Sequence, residues 1–138
     1  MNNEDLYDQD YYKTYEFGFR SEDRIDHGLI LKLLDIKDDD RVLEVGCGLG
    51  VLLNRVPSSK KKGIESNMSA VNECQKRGLD VVKADSEQGL PFAGMSFEAV
   101  IMNEVIEHLR DPSMVLRECF RVLSPEGKLA ITTPARNF

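Results

Sequence analysis

The sequence predicts an α/β fold built on a mainly parallel, doubly wound sheet. Apolar segments of strand length alternate with amphipathic segments of helix length, which is the pattern of βαβ units. The segments "RVLEV", "FEAVIM" and "LAITT" are nearly continuous apolar runs, as strands are when helices cover both faces of a sheet. The first of these runs straight into "GCGLG", a strand-to-helix turn in which Gly46, Gly48 and Gly50 carry no side chain.

Each element follows from local chemistry. From Glu22 to Leu34, Ile25, Leu29 and Leu33 recur four apart with Ile30 and Leu34 beside them, the spacing of an amphipathic helix. "DIKDDD" is a polar turn before the first strand. "GVLLNRV" resumes as a short helix cut at Pro57. "KKKGIE" is a second, lysine-led strand, and Lys60, Lys61 and Lys62 read as its solvated entry. "SNMSAVNECQKRG" is a helix with Ser66 or Asn67 as N-cap and Gly78 as its stop. "LDVVKA" is a third strand, and "DSEQGLPFAGMS" a loop leading to the fourth. Asp111 followed by Pro112 opens another helix, with Leu116, Cys119, Phe120 and Leu123 as its expected buried stripe. "SPEGK" then turns the chain into a fifth strand.

Bulk properties narrow the function. At 138 residues the chain has room for one core. Its 41% hydrophobic and 30% charged residues are those of an ordinary soluble domain, with no run long enough to cross a bilayer. The acidic N-terminus lacks the order of a signal peptide. A net charge of −6 argues against nucleic acid as the main partner. Cys47, Cys74 and Cys119 show no metal-finger spacing and read as small buried residues in a reducing cytoplasm. Cys47 has no neighbouring base to make it a nucleophile. His27 reads as a surface histidine.

The glycine turn is expected to leave bare helix amides and a close berth for a ligand. The dinucleotide fingerprint would place its third glycine at Val51, so the spacing departs from the nicotinamide pattern; no Tyr-x-x-x-Lys pair supports an oxidoreductase either. Glu44, Glu65 and Asp85 close three strands that line one crevice at the topological switch point. Glu65 can accept from both hydroxyls of a ribose and Asp85 from an adenine amino group.

"VLEVGCGLG", "GIESN", "VVKADSEQGLPFAGMSFEAVIM" and "RVLSPEGKLAITTP" resemble the ordered motifs of class I S-adenosylmethionine-dependent methyltransferases across residues 41 to 134. That resemblance implies a Rossmann-like sheet of strand order 3-2-1-4-5 and S-adenosyl-L-methionine as cofactor. It implies that Glu44, Gly46, Cys47, Gly48 and Gly50 surround the methionine moiety, that Glu65 and Ser66 serve the ribose, and that Asp85 and Ser86 face the adenine. Asn103 is implied to run close to the sulfonium and, with His108, makes up the candidate catalytic set. Met95 departs from the Asp or Asn common in that loop. The reaction implied is methyl transfer to an O, N or C acceptor on a small molecule, with a non-catalytic cofactor-binding module as the alternative.

"NEVIEHL" places Glu104, Glu107 and His108 at i, i+3 and i+4, one face of a helix, where they would suit Mg²⁺, Mn²⁺ or a similar ion. The spacing resembles the E-x-x-E-H motif of small-RNA and ubiquinone-biosynthesis O-methyltransferases. Without a metal, His108 is expected to line the acceptor pocket or act as a weak base. Residues 1 to 20, rich in tyrosine and acid, form a lid or a tail, and residues 21 to 138 the cofactor-binding domain. The family's sixth and seventh strands are missing from the sequence, so the chain is expected to be incomplete at its C-terminus. "KLAITT" would then be an apolar edge along which a second copy could pair.

Overall fold

The computed structural model describes residues 25–135; the tyrosine-rich segment read as a lid or tail lies outside them. The elements run α1 (Ile25–Leu34), β1 (Val42–Val45), α2 (Val51–Arg55), β2 (Lys61–Glu65), α3 (Met68–Lys76), β3 (Val81–Lys83), β4 (Phe97–Asn103), α4 (Pro112–Val122) and β5 (Leu123–Thr132). Short 3₁₀ turns stand at Ser86–Gln88 and Ile106–His108. All five strands pair in parallel in the order 3-2-1-4-5. The chain therefore leaves β1 toward β2 and β3, then returns to lay β4 on the other side of β1. That reversal is what opens a crevice at the carboxyl ends of the strands.

The caps are those the residue types dictate. The Asn67 side chain accepts from the Ala70 amide at 3.1 Å to start α3, and Asp111 accepts from the Met114 amide at 3.0 Å with Pro112 in the first turn of α4. One face of the sheet packs Val42, Ala99 and Ile101 against Ile30 and Leu34 of α1, Leu52 of α2 and Val56 just after it. The other packs Leu43, Val45, Val100 and Met102 against Val115, Cys119 and Val122 of α4. Burial of these strand residues on both sides removes most of their apolar surface from water, about 1.5–3 kcal/mol for each large side chain. Among the described residues no helix is long and apolar enough to cross a membrane.

Four expectations are corrected. In α1 the buried side chains are His27, Ile30 and Leu34, while Leu29 and Leu33 face outward, Leu33 at 69% exposure. His27 is thus a core residue, not a surface one. In α4 the buried side chains are Val115, Cys119 and Val122; of the set expected, Phe120 is instead 70% exposed. Cys119 and Leu123 belong to the core as expected, and Leu116 packs against it half-buried. β5 begins at Leu123 rather than after "SPEGK": Leu123 pairs with Phe97 and Lys128 with Ala99, so residues 124–127 form a bulge within the strand. Glu126 takes a positive φ of 64° inside that bulge.

Candidate functional site

β1 delivers Glu44 and then the glycine turn to the crevice. Gly46, Gly48 and Gly50 adopt φ of 68°, 53° and 72°, a region that side chains resist. At Gly46 and Gly50 the room the missing side chain leaves is used by the protein itself. A Cβ on Gly46 would lie 2.7 Å from Val105 Cγ2, and one on Gly50 would lie 2.6 Å from Leu79 Cδ1. The segment that follows β4 therefore leans directly on the turn, and α3 with its following loop supports it from beneath.

Four amides of the turn are bonded within the protein. Gly46 N and Cys47 N donate to Ile64 O at 2.9 and 3.0 Å, and Gly50 N to Cys47 O at 2.8 Å. Gly48 N donates to Glu65 Oε2 at 2.9 Å. The same carboxylate accepts from Asn67 N at 2.9 Å and, at 3.4 Å, from the Ser66 hydroxyl. Glu65, buried at the end of β2, is thus a clasp between the first and second crossovers. Its two oxygens retain acceptor capacity beyond these bonds.

Glu44 is buried, and its Oε2 has no hydrogen-bond partner. Burial pushes its carboxyl well above the ordinary range; the nearby Cys74 and Glu65 add to the rise, and a bond from the Leu53 amide opposes it. A buried acid with an unmatched oxygen is costly in the absence of a positive partner. The thiols below the turn are closed off. Cys74 Sγ lies 3.3 Å from Gly48 O, and a hydrogen bond with Cys74, with burial, pushes the Cys47 thiol up and keeps it protonated.

Asp85 and Ser86 stand just past β3, half-buried, where Asp85 caps the 3₁₀ turn by accepting from Glu87 N at 2.9 Å. Ala84 N donates to Glu65 O at 3.0 Å, which brings the Asp85 loop alongside the second crossover. Glu44, Glu65 and Asp85 thus stand at the carboxyl ends of three adjacent strands.

The helical face on which a metal site depended does not form. Glu104 takes a left-handed φ of 55°, and Ile106–His108 is a single 3₁₀ turn. Spacing of i, i+3 and i+4 then no longer aligns side chains on one face. Among the described residues no group of three His, Cys, Asp or Glu is placed to hold a metal ion. His108 sits half-exposed, 3.8 Å from Glu107.

The carboxyl end of β4 carries what sequence reasoning missed. Asn103 Oδ1 accepts from Thr132 Oγ1 at 2.6 Å, and Asn103 Nδ2 lies 3.3 Å from His27 Nε2. His27 and Thr132 come from elements 76 and 29 residues away in the chain. No local motif marks them.

Residues 24–136 match the model of the MetW family, described as methionine biosynthesis protein MetW. The ubiquinone biosynthesis O-methyltransferase of Parvibaculum lavamentivorans is 29% identical over 70% of this chain and 41% of its own length. The phthiotriol/phenolphthiotriol dimycocerosates methyltransferase 1 of Mycobacterium ulcerans is 37% identical over 67% of this chain and 36% of its own length. Among solved structures, an S-adenosylmethionine-dependent methyltransferase from Aquifex aeolicus aligns with a TM-score of 0.66 and 26% identity, over 92% of this chain and 68% of that one. The [4+2]-cyclase SpnF aligns with a TM-score of 0.70 and 26% identity, over 78% of this chain and 43% of that one. The chain thus spans about two fifths of the length of the two sequence relatives described.

Proposed function

The chain belongs to the MetW family and to the class I S-adenosylmethionine-dependent methyltransferases, and on that premise we propose that it binds S-adenosyl-L-methionine at the carboxyl ends of β1, β2 and β3 for methyl transfer to an O, N or C acceptor on a small molecule. One observation carries the cofactor assignment. The amides of Gly46, Cys47, Gly48 and Gly50 are consumed within the protein, while Glu44 keeps a buried oxygen without a partner. A pyrophosphate needs free amides at such a turn; a cation needs an unmatched acid. An unmatched buried acid suits the ammonium and sulfonium of S-adenosylmethionine better than the phosphates of a dinucleotide.

In this reading Glu44 Oε2 takes the ammonium, and the main chain from Gly46 to Gly50 forms the bed beneath the methionine moiety. Glu65 offers its remaining lone pairs to the ribose, with Ser66 beside it. Asp85 and Ser86 border the adenine, and Asn103 flanks the sulfur. His108, half-exposed between β4 and α4, serves the acceptor side. When bound, the cofactor supplies a methyl group activated by positive sulfur; the residues supply orientation and a negative surround. The cytoplasmic setting expected from the cysteines belongs to the same reading.

A calorimetric titration of folded protein tests it: S-adenosylmethionine binds and NAD does not. Binding of NAD alone overturns the assignment. Cofactor binding without methyl transfer is the second reading, favoured by the likeness to a protein named as a cyclase. Methyl release on a broad acceptor panel separates the two.

A further inference from the structure

The loop that follows Asp85 is laced to α4 from one end of that helix to the other. At the N-terminal end Glu87 Oε1 accepts from the amides of Arg110 and Asp111, at 2.8 and 3.0 Å. Further along, Glu118 Oε2 accepts from Leu90 N at 2.8 Å. Arg121 donates to Leu90 O at 2.9 Å and to Phe92 O at 2.8 Å. Glu118 and Arg121 thus hold the far part of the loop, where Leu90 is buried and the Phe92 ring meets Phe97 edge-on at 5.1 Å. Glu87 holds the near part. Its own amide donates to Asp85 Oδ1 at 2.9 Å, and Asp85 caps the 3₁₀ turn to which Glu87 belongs. One side chain therefore ties the Asp85 turn to the entry of α4, with two N–H donors on a single carboxylate oxygen.

Those two amides end a segment that begins against the glycine turn. Val105 Cγ2 fills the space that a side chain on Gly46 would need. Val105, Ile106 and Leu109 pack on the core, and His108, half-exposed, stands between the last two in sequence. Residues 105–111 are thus fastened at both ends, to the glycine turn through Val105 and to the Asp85 turn through Glu87. A displacement of Asp85 carries Glu87 with it, because the two share one turn, and Glu87 bears on the amides two and three residues beyond His108.

We propose that Glu87 is a positioning residue that couples an adenine seated at Asp85 to the segment carrying His108. Through it, occupation of the cofactor site sets the place of the acceptor side. The proposal rests on the reading that S-adenosylmethionine binds with its adenine beside Asp85.

Backbone ¹H–¹⁵N spectra of the full chain test it, with calorimetry on the same samples. The variants are Glu87→Ala, which removes the acceptor, and Glu87→Gln, whose amide oxygen can stand in its place. Without ligand, the Arg110 and Asp111 amides should exchange with solvent about tenfold faster in Glu87→Ala than in the wild type. On addition of S-adenosylmethionine, the wild-type signals of residues 108–111 should move and exchange at Arg110 and Asp111 should slow. A wild type that binds with these amides unchanged overturns the coupling, whether or not either variant folds. Glu87→Ala should bind about three- to tenfold more weakly, with residues 108–111 no longer responding. Glu87→Gln should respond and bind within about threefold of the wild type. A full response in Glu87→Ala, or none in a folded Glu87→Gln, overturns the positioning role. Failure of the wild type itself to bind sinks the proposed function and the coupling with it, and is told apart by the calorimetry alone.

Discussion

Replacing Glu44 with Gln is expected to move stability and binding in opposite directions. In the free protein Glu44 is buried with one unmatched oxygen, and burial above all raises its carboxyl well above the ordinary value of 4.5. A carboxyl raised in the folded state holds more protons there than in the unfolded chain, once pH exceeds the ordinary value. The free protein therefore loses stability as pH climbs from about 4.5 toward the folded value of this group. Glu44→Gln keeps an acceptor for the Leu53 amide and removes the charge. At about pH 8 it should match or exceed the wild type by on the order of 1 kcal/mol, about 4 °C in Tm for a chain of this size. Binding falls instead, because a hydrogen bond between charged groups is worth about 1.5–3 kcal/mol, or roughly 10- to 150-fold in Kd. Thermal melts across pH and calorimetry with S-adenosylmethionine in two buffers of different ionisation enthalpy measure both effects. The wild type should release protons on binding, since a cation stabilises the Glu44 carboxylate, and the variant should release fewer. Unchanged affinity in Glu44→Gln, or a variant that melts lower than wild type throughout, refutes the reasoning.

Three further outcomes follow from the same geometry. Gly46→Ala forces a side chain into a φ of 68° and against Val105, and should cost about 2–3 kcal/mol; a melt within a degree of wild type would contradict the packing described. Glu98 and Glu118 are held down to about 2 by Arg41 and Arg121, so their contributions are present above the ordinary carboxyl range and fade as pH falls toward 2. Both pairs are partly exposed, so the acid-side loss should be at most about 1 kcal/mol for each, and Glu98→Gln with Glu118→Gln should flatten it in acid melts. Mg²⁺ or Mn²⁺ should leave Tm unmoved, because Glu104, Glu107 and His108 do not share a helical face; a saturable rise would restore the metal site.

The strand order and the placement of Glu44, Glu65 and Asp85 were legible because continuous apolar runs ending in acids leave few alternatives. The helix faces were not. In α4 the sets 115, 119, 122 and 116, 120, 123 have the same spacing and both are apolar, so periodicity alone cannot choose between them. In α1 the choice is made by Ile30, Leu34 and a polar residue, His27, whose partner lies on β4; a hydrophobic pattern cannot register such a contact. Glu104 defeated a helical reading because the sequence offers no glycine to announce its left-handed turn, and Thr132 imposes it from a neighbouring strand. The glycines themselves were found for an incomplete reason. They were expected to make room for a ligand, yet at Gly46 and Gly50 the room is taken by Val105, Leu79 and Cys74.

The crystal structure of the protein with S-adenosylmethionine tests the proposed cation site most directly. The ammonium should lie within hydrogen-bonding distance of Glu44 Oε2, with the ribose hydroxyls on Glu65 and the adenine beside Asp85. Adenosine seated away from these acids, or Glu44 Oε2 still without a partner in the complex, would contradict it.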